Sequence, residues 1–316
     1  MITTVALAGL SARLMTATSD STPAQPTGLE KPAATPATPL DRFGVQMLHP
    51  TLSGGHEWHA NWDNGRERAF GSTAEFTGDP EFDTNHGDGS YRVDGRGVLK
   101  ISGRAPRMYV HDPANLRSWG NVEITVYGRR IADTGISYGG IMAYARTNHG
   151  TVAPGGENRN LCDCRGYGGM VTYDGRVQFE KETAHHQGNG NAQIARVKYW
   201  PAGMPKDRWI GYKLVVRDCN GGRNVKLELY LDGRNGAGGG AWEKVTEFTD
   251  DGHNFGARST PCGAGIDPAL ALTTSTARPG SETGKPNLTV YFRSDGVLTD
   301  GLWYKQASVR EIAPLP

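Results

Sequence analysis

The segment YARTNHG, Tyr144 to Gly150, carries a phenol, a guanidinium, an amide and an imidazole within six residues. Removing a proton beside the carboxylate of a uronic acid needs those types: a cation or amide to neutralise the carboxylate, a base for the C5 proton, and an acid for the leaving oxygen. In an extended chain Tyr144, Arg146 and Asn148 alternate onto one face while His149 opens the following loop. Tyr291 and Arg293 share a face of another segment and extend the set. A second pair suits hydrolysis. Glu180 and Glu182, with Gln178 on the same face, are two residues apart in FEKET; their Cα atoms would lie about 6.6 Å apart at the usual strand rise. Their carboxyls could then fall within the roughly 5–9.5 Å spanned by retaining and inverting pairs. Charged residues on an outward strand face are also what solubility requires.

Metal chemistry has one candidate loop. In GDPEFDTNHGDG, Asp79, Asp83, Asn85 and Asp88 offer hard oxygen ligands suited to a structural calcium ion, although the spacing is not that of an EF-hand. A simple Asp/Asn turn cluster has the same composition. His56 and His59 in GGHEWHANW are not an HExxH pair and read as structural. No cofactor is required by either chemistry. Cys162, Cys164, Cys219 and Cys262 lack the paired spacing of a zinc site. In an exported chain they predict at least one disulfide, tying the Cys162 to Cys164 loop to Cys219 or Cys262.

The elements that must position these residues read as short strands. NVEITVYGRRI (121–131), YGGIMAYARTN (138–148), WIGYKLVVRD (209–218), NVKLELYLDG (224–233), NLTVYFRSDG (287–296) and LWYKQASVREI (302–312) alternate apolar and polar residues and are rich in β-branched and aromatic types. Between them stand NGGRN, DGRNGAGGG and SDGVLTDG, which supply Gly and Asn for turns. The 44 glycines are about twice ordinary usage. The fold expected is all-β, a two-sheet sandwich. One hairpin can be drawn in detail: with Asp174 and Gly175 at the centre of a two-residue turn, Tyr173 faces Arg176, Val171 faces Gln178 and Gly169 faces Glu180. Val177 and Phe179 then point into the core with Lys181 on their side, and Gln178, Glu180 and Glu182 point outward.

The 34 basic against 33 acidic residues leave no field of one sign to hold a nucleic acid or an acidic membrane. The apolar run from Ile2 to Ala12 is short of membrane length and reads as a weak secretion signal. A Pro/Thr/Ala tract follows it, so residues 1–40 are expected to be a leader and linker and residues 41–316 a single domain. A secreted monomer follows from that reading. The seven tryptophans offer platforms for sugar rings, although in a sandwich they are more often core anchors.

Taken together, the Gly-rich alternating strands with charged faces resemble the concanavalin A-like jelly-roll superfamily of polysaccharide lyases, glycoside hydrolases and carbohydrate-binding domains, over roughly Phe43 to Ile312. Locally, VYFRSDGVLTDGLWYKQ (Val290 to Gln306) is similar to the YFKxGxYxQ strand of jelly-roll alginate lyases. Arg293 stands where that family has Lys, and several residues are inserted before Tyr304-Lys305-Gln306. The nearest match to the family's QIH is Gln193-Ile194-Ala195, without the histidine. The resemblance implies the jelly-roll fold and makes Tyr304 a candidate for proton transfer. It implies a polysaccharide or oligosaccharide partner; joined with the residue chemistry of YARTNHG and of Tyr291 and Arg293, the reading is a lyase acting by β-elimination, with Arg146 or Arg293 at the carboxylate and His149 or Tyr304 moving the proton. The alternatives are a hydrolase using Glu180 and Glu182, or a lectin-like binding domain without catalysis.

Overall fold

The computed structural model describes residues 39–72, 78–114, 116–149, 159–185, 191–256, 261–277 and 289–316. The leader and linker expected over residues 1–40 lie, but for the last two residues, outside that set. Among the described residues there are fifteen strands, all paired antiparallel: β1 (Glu57–His59), β2 (Glu67–Phe70), β3 (Phe82–Asp83), β4 (Gly87–Asp94), β5 (Val98–His111), β6 (Val122–Arg130), β7 (Gly140–Thr147), β8 (Gly166–Thr172), β9 (Arg176–Glu182), β10 (Asn191–Lys198), β11 (Trp209–Cys219), β12 (Asn224–Asp232), β13 (Glu243–Asp250), β14 (Thr289–Arg293) and β15 (Val297–Glu311). The six segments predicted from alternation are β6, β7, β11, β12, β14 and β15. No helix among the described residues is long and apolar enough to cross a membrane.

The strands form two layers. A front sheet runs β10-β9-β8-β7-β14-β5-β3, and a back sheet runs β13-β12-β11-β6-β15-β5-β4-β2 with β1 beside β15. β5 belongs to both: Val98 to Gly103 pair in the back sheet, and Arg107 to His111 pair in the front one. Gly103 sits at the crossing with φ +132°, where a Cβ would come within 2.4 Å of the Asp88 carbonyl oxygen. Between the layers Ile141, Ala143, Val171, Phe179, Val290 and Phe292 of the front sheet meet Ile124, Val126, Tyr212, Leu214, Leu227 and Leu229 of the back sheet. Alternation explains this directly, because each second residue of a strand faces the same way. The layers are also bonded across the core: Tyr212 donates to the Gly169 carbonyl at 2.8 Å. At one edge the wholly buried Lys181 Nζ lies 2.7 Å from Asp250 Oδ2.

The hairpin at the front of the molecule corrects the predicted register by one residue. Met170 faces Gln178, Gly168 faces Glu180 and Val171 faces Val177. The connection has three residues, Tyr173 to Gly175, closed by Gly175 N–H to the Thr172 carbonyl at 2.8 Å, with Gly175 in the left-handed region. A three-residue loop ending in a left-handed glycine is the next commonest solution after the two-residue turn. A one-residue slip exchanges the faces of the first arm only, so Val171 is core and the outward set of β9 stands as expected.

Candidate functional site

On the front sheet the face turned away from the core carries Arg107 and Tyr109 from β5, Tyr291 and Arg293 from β14, Met142 and Tyr144 from β7, Met170 from β8, and Gln178, Glu180 and Glu182 from β9. The rings form a file: Tyr144 stacks on Tyr291 with centroids 4.9 Å apart, and Tyr291 contacts Tyr109 at 5.2 Å. Tyr109, Met142, Tyr144, Met170 and Tyr291 make an apolar cluster of their own, separate from the main core.

A polar set is laid over it. The Tyr144 hydroxyl donates to Glu180 Oε1 at 2.5 Å, and Arg293 Nη1 donates to the same hydroxyl at 3.3 Å. Asp295 binds Arg293 at 3.0 Å and Arg107 at 3.1 Å. Gln193 on β10 donates to Glu180 Oε2 at 3.0 Å, while Arg196 donates to Gln178 at 2.8 Å and to Gln193 at 2.8 Å. Burial, with the Glu180 charge next, holds the Tyr144 phenol well above its ordinary range, so it stays protonated at neutral pH. Most of these side chains are buried, whereas Gln193 and Arg196 are exposed and the Arg293 side chain is 20% exposed. The accessible edge of the face is therefore cationic and amide in character.

Deeper on the same face sit the histidines. His149 Nδ1 and the Tyr109 hydroxyl are hydrogen-bonded at 2.7 Å, and His185 Nδ1 and Glu182 Oε1 lie 2.7 Å apart. The two imidazoles meet edge to face at 5.6 Å. Burial, reinforced by His86, His185, Arg107 and Arg293, drives the His149 imidazole well below its usual range, leaving it neutral.

Seven of the predicted residues, Tyr144, His149, Gln178, Glu180, Glu182, Tyr291 and Arg293, thus come together. Three do not. Arg146 has φ +62°, and β7 carries two residues, Ala145 and Arg146, opposite Val290 alone. This bulge breaks the alternation and turns Arg146 away, where it binds Asp218 at 2.6 Å and the Gly120 and Leu272 carbonyls. Asn148 is buried beyond the bulge, its backbone N–H donating to the Asp163 carbonyl. Tyr304 lies in the core between the sheets, 6.0 Å from Phe292. The segment Val290 to Gln306 is not one strand but two, β14 in the front sheet and β15 in the back, so its likeness to a single lyase strand does not hold in three dimensions.

Nor do the four oxygen ligands gather on one centre. Asp79 accepts from the Trp58 indole at 2.9 Å, Asp83 pairs with His111 at 2.5 Å, Asn85 bonds His86, and Asp88 holds Arg104. Each is committed to its own turn or neighbour. The predicted disulfide is present as Cys162–Cys262, while Cys164 and Cys219 are buried and outside it. Trp58, Trp62 and Trp119 are core anchors.

Sequence reading missed Arg107, Tyr109, Gln193, Arg196 and His185. The first two were within reach, since RMYVH alternates Arg107, Tyr109 and His111 onto one face. Gln193 stands in the segment likened to QIH.

No family model and no curated protein matches the chain. Solved structures with a similar course of chain include the calcium-bound exoplasmic/lumenal domain of VIP36, at 11% identity over 74% of this chain and 85% of that one, TM-score 0.40. A legume lectin-like domain from Entamoeba histolytica is 11% identical over 69% and 85%, TM-score 0.35. Winged bean acidic lectin with methyl-alpha-D-galactose is 6% identical over 77% and 98%, TM-score 0.37. At such values no residue role passes from them to this chain. By its own strand order and layers, the chain is an all-β, two-sheet sandwich of the concanavalin A-like jelly-roll type.

Proposed function

We propose that the protein binds an oligosaccharide at the outer face of the front sheet. The observation that carries this reading is the convergence there of Tyr144, Tyr291, Gln178, Glu180 and Arg293, with Gln193 and Arg196 at the accessible edge. A sugar presents hydroxyls that both donate and accept, and the exposed Gln193 and Arg196 with the partly exposed Arg293 answer them from the edge, backed by the buried Gln178, Glu180, Tyr144 and Tyr291. Arg293 and Arg196 favour a glycan bearing carboxylates. The Cys162–Cys262 bridge supports an oxidising, extracellular setting.

A second reading, β-elimination on a uronate glycan, rests on one observation: Arg293 Nη1, the Tyr144 hydroxyl and Glu180 Oε1 lie within 4 Å of one another. Arg293 would neutralise the substrate carboxylate, Glu180 Oε1 would take the C5 proton, and the Tyr144 phenol would protonate the leaving oxygen as the C4–O bond breaks. One screen of acidic and neutral oligosaccharides tests both. Binding by calorimetry, weakened about 10-fold or more in Arg293→Ala because a charge-assisted contact is lost, is the expected result; no binding across the panel overturns the proposal. A rise in ultraviolet absorbance from a conjugated double bond adds elimination. New reducing ends without that absorbance, lost in Glu180→Gln, would replace elimination by hydrolysis.

A further inference from the structure

Behind the saccharide face, the side chains of His149, Cys164 and His185 converge on one point that neither recognition nor elimination uses. One donor atom from each lies within 4.8 Å of the others, and all three residues are buried. From these positions we infer that the protein has a transition-metal site made of the two imidazoles and the Cys164 thiolate, with zinc(II) as its reference occupant.

The donor set points to that class of ion. Calcium and magnesium take oxygen ligands, whereas two imidazole nitrogens and one thiolate suit zinc and its first-row neighbours. Tetrahedral zinc with bonds of roughly 2.0–2.3 Å spaces its donors about 3.3–3.8 Å apart. Closing from 4.8 Å asks for about an ångström of movement, within reach of small side-chain rotations. The supporting shell is already built. With His185 Nδ1 held by Glu182 Oε1 and His149 Nδ1 by the Tyr109 hydroxyl, coordination falls to Nε2 of each ring. Metal-bound histidines are commonly fixed in that way, by a carboxylate or another polar group on the second nitrogen.

The sequence supports the placement of the third donor. Cys162 is committed to Cys262, and the chain returns two residues later to present Cys164 on the side of Tyr109 and Tyr291. Three protein donors leave a fourth position for water or a ligand atom. The inference does not depend on a glycan occupying the outer face.

The test uses the full chain with its disulfide intact, stripped with a chelator and titrated with cobalt(II) as a spectroscopic stand-in, then with zinc(II) in competition. One cobalt per chain is expected, with a sulfur-to-metal charge-transfer band in the near ultraviolet that zinc abolishes. Cys164→Ser should lose the band and Cys219→Ser should keep it, because Cys219 lies outside the cluster. If Cys164→Ser does not fold, His185→Gln carries the same test, and Glu182→Gln should weaken cobalt binding by about 10–100-fold as an outer partner does. The absence of a sulfur band in the folded wild-type protein, or a band that survives Cys164→Ser, would overturn the site. Glycan binding is measured separately on the stripped protein, so the two proposals fail independently.

Discussion

At the scale of single residues, position relative to the sheet decides what a tyrosine can do. Tyr144 and Tyr304 look equivalent in the sequence, yet one is bonded to Glu180 on the outer face and the other is enclosed between the layers. Replacing Tyr304 by Phe should therefore leave glycan affinity unchanged, which calorimetry on the variant would check. His111 makes a different prediction. Burial works against its charged form, but the bond to Asp83 outweighs burial and raises its pKa above the usual imidazole value. A raised folded-state pKa adds stability that is fully present below the unfolded value near 6.5 and is lost as pH climbs through the folded value. The gap in melting temperature between wild type and His111→Asn should be widest at pH 6 or below and should narrow by pH 9. A gap that widened with pH would contradict the pairing.

Elements were the most legible level of the sequence. Period-two alternation locates four of the six strands within a residue or two, overshoots the end of β14 by three and misses the first five residues of β15, and it assigns β9 its inward and outward sets, because burying one face of a strand fixes its pattern. Legibility failed where one residue upset the period. The left-handed Arg146 and the left-handed Gly175 each shift a register by one, and neither shift has a local apolar signature. The meeting of His149, Cys164 and His185 depends on chain connections rather than on any strand's pattern, so spacing could not announce it. Gly168 shows how closely the site depends on its strands. It pairs with Tyr144, and a Cβ there would come within 2.4 Å of that ring, which is itself held by Tyr291 and Glu180. Gly168→Ala should tilt the ring and weaken glycan binding about 10-fold, at an overpacking cost of roughly 1–3 kcal/mol. Gly169→Ala, whose Cβ would meet Tyr212 and Leu214 in the core, should lower stability without touching the outer face.

For the whole molecule, the Cys162–Cys262 bridge spans 100 residues. Loop-closure entropy for such a span corresponds to about 4.7 kcal/mol, so the Cys162→Ser/Cys262→Ser double variant should melt well below wild type in a calorimetric scan. The strand order has a consequence for biosynthesis. β14 enters between β7 and β5, and β15 between β5 and β6, so each sheet is completed through its middle by the last strands to be made. A nascent chain that has not reached Thr289 holds each sheet as two separate groups of strands, with inner faces uncovered. Strand pairs this far apart in sequence form slowly, and uncovered edges of this kind are prone to association. The polypeptide thus leaves the ribosome without a stable intermediate domain. Arrested fragments ending before β14 should be cut rapidly by proteases that leave the full-length protein intact.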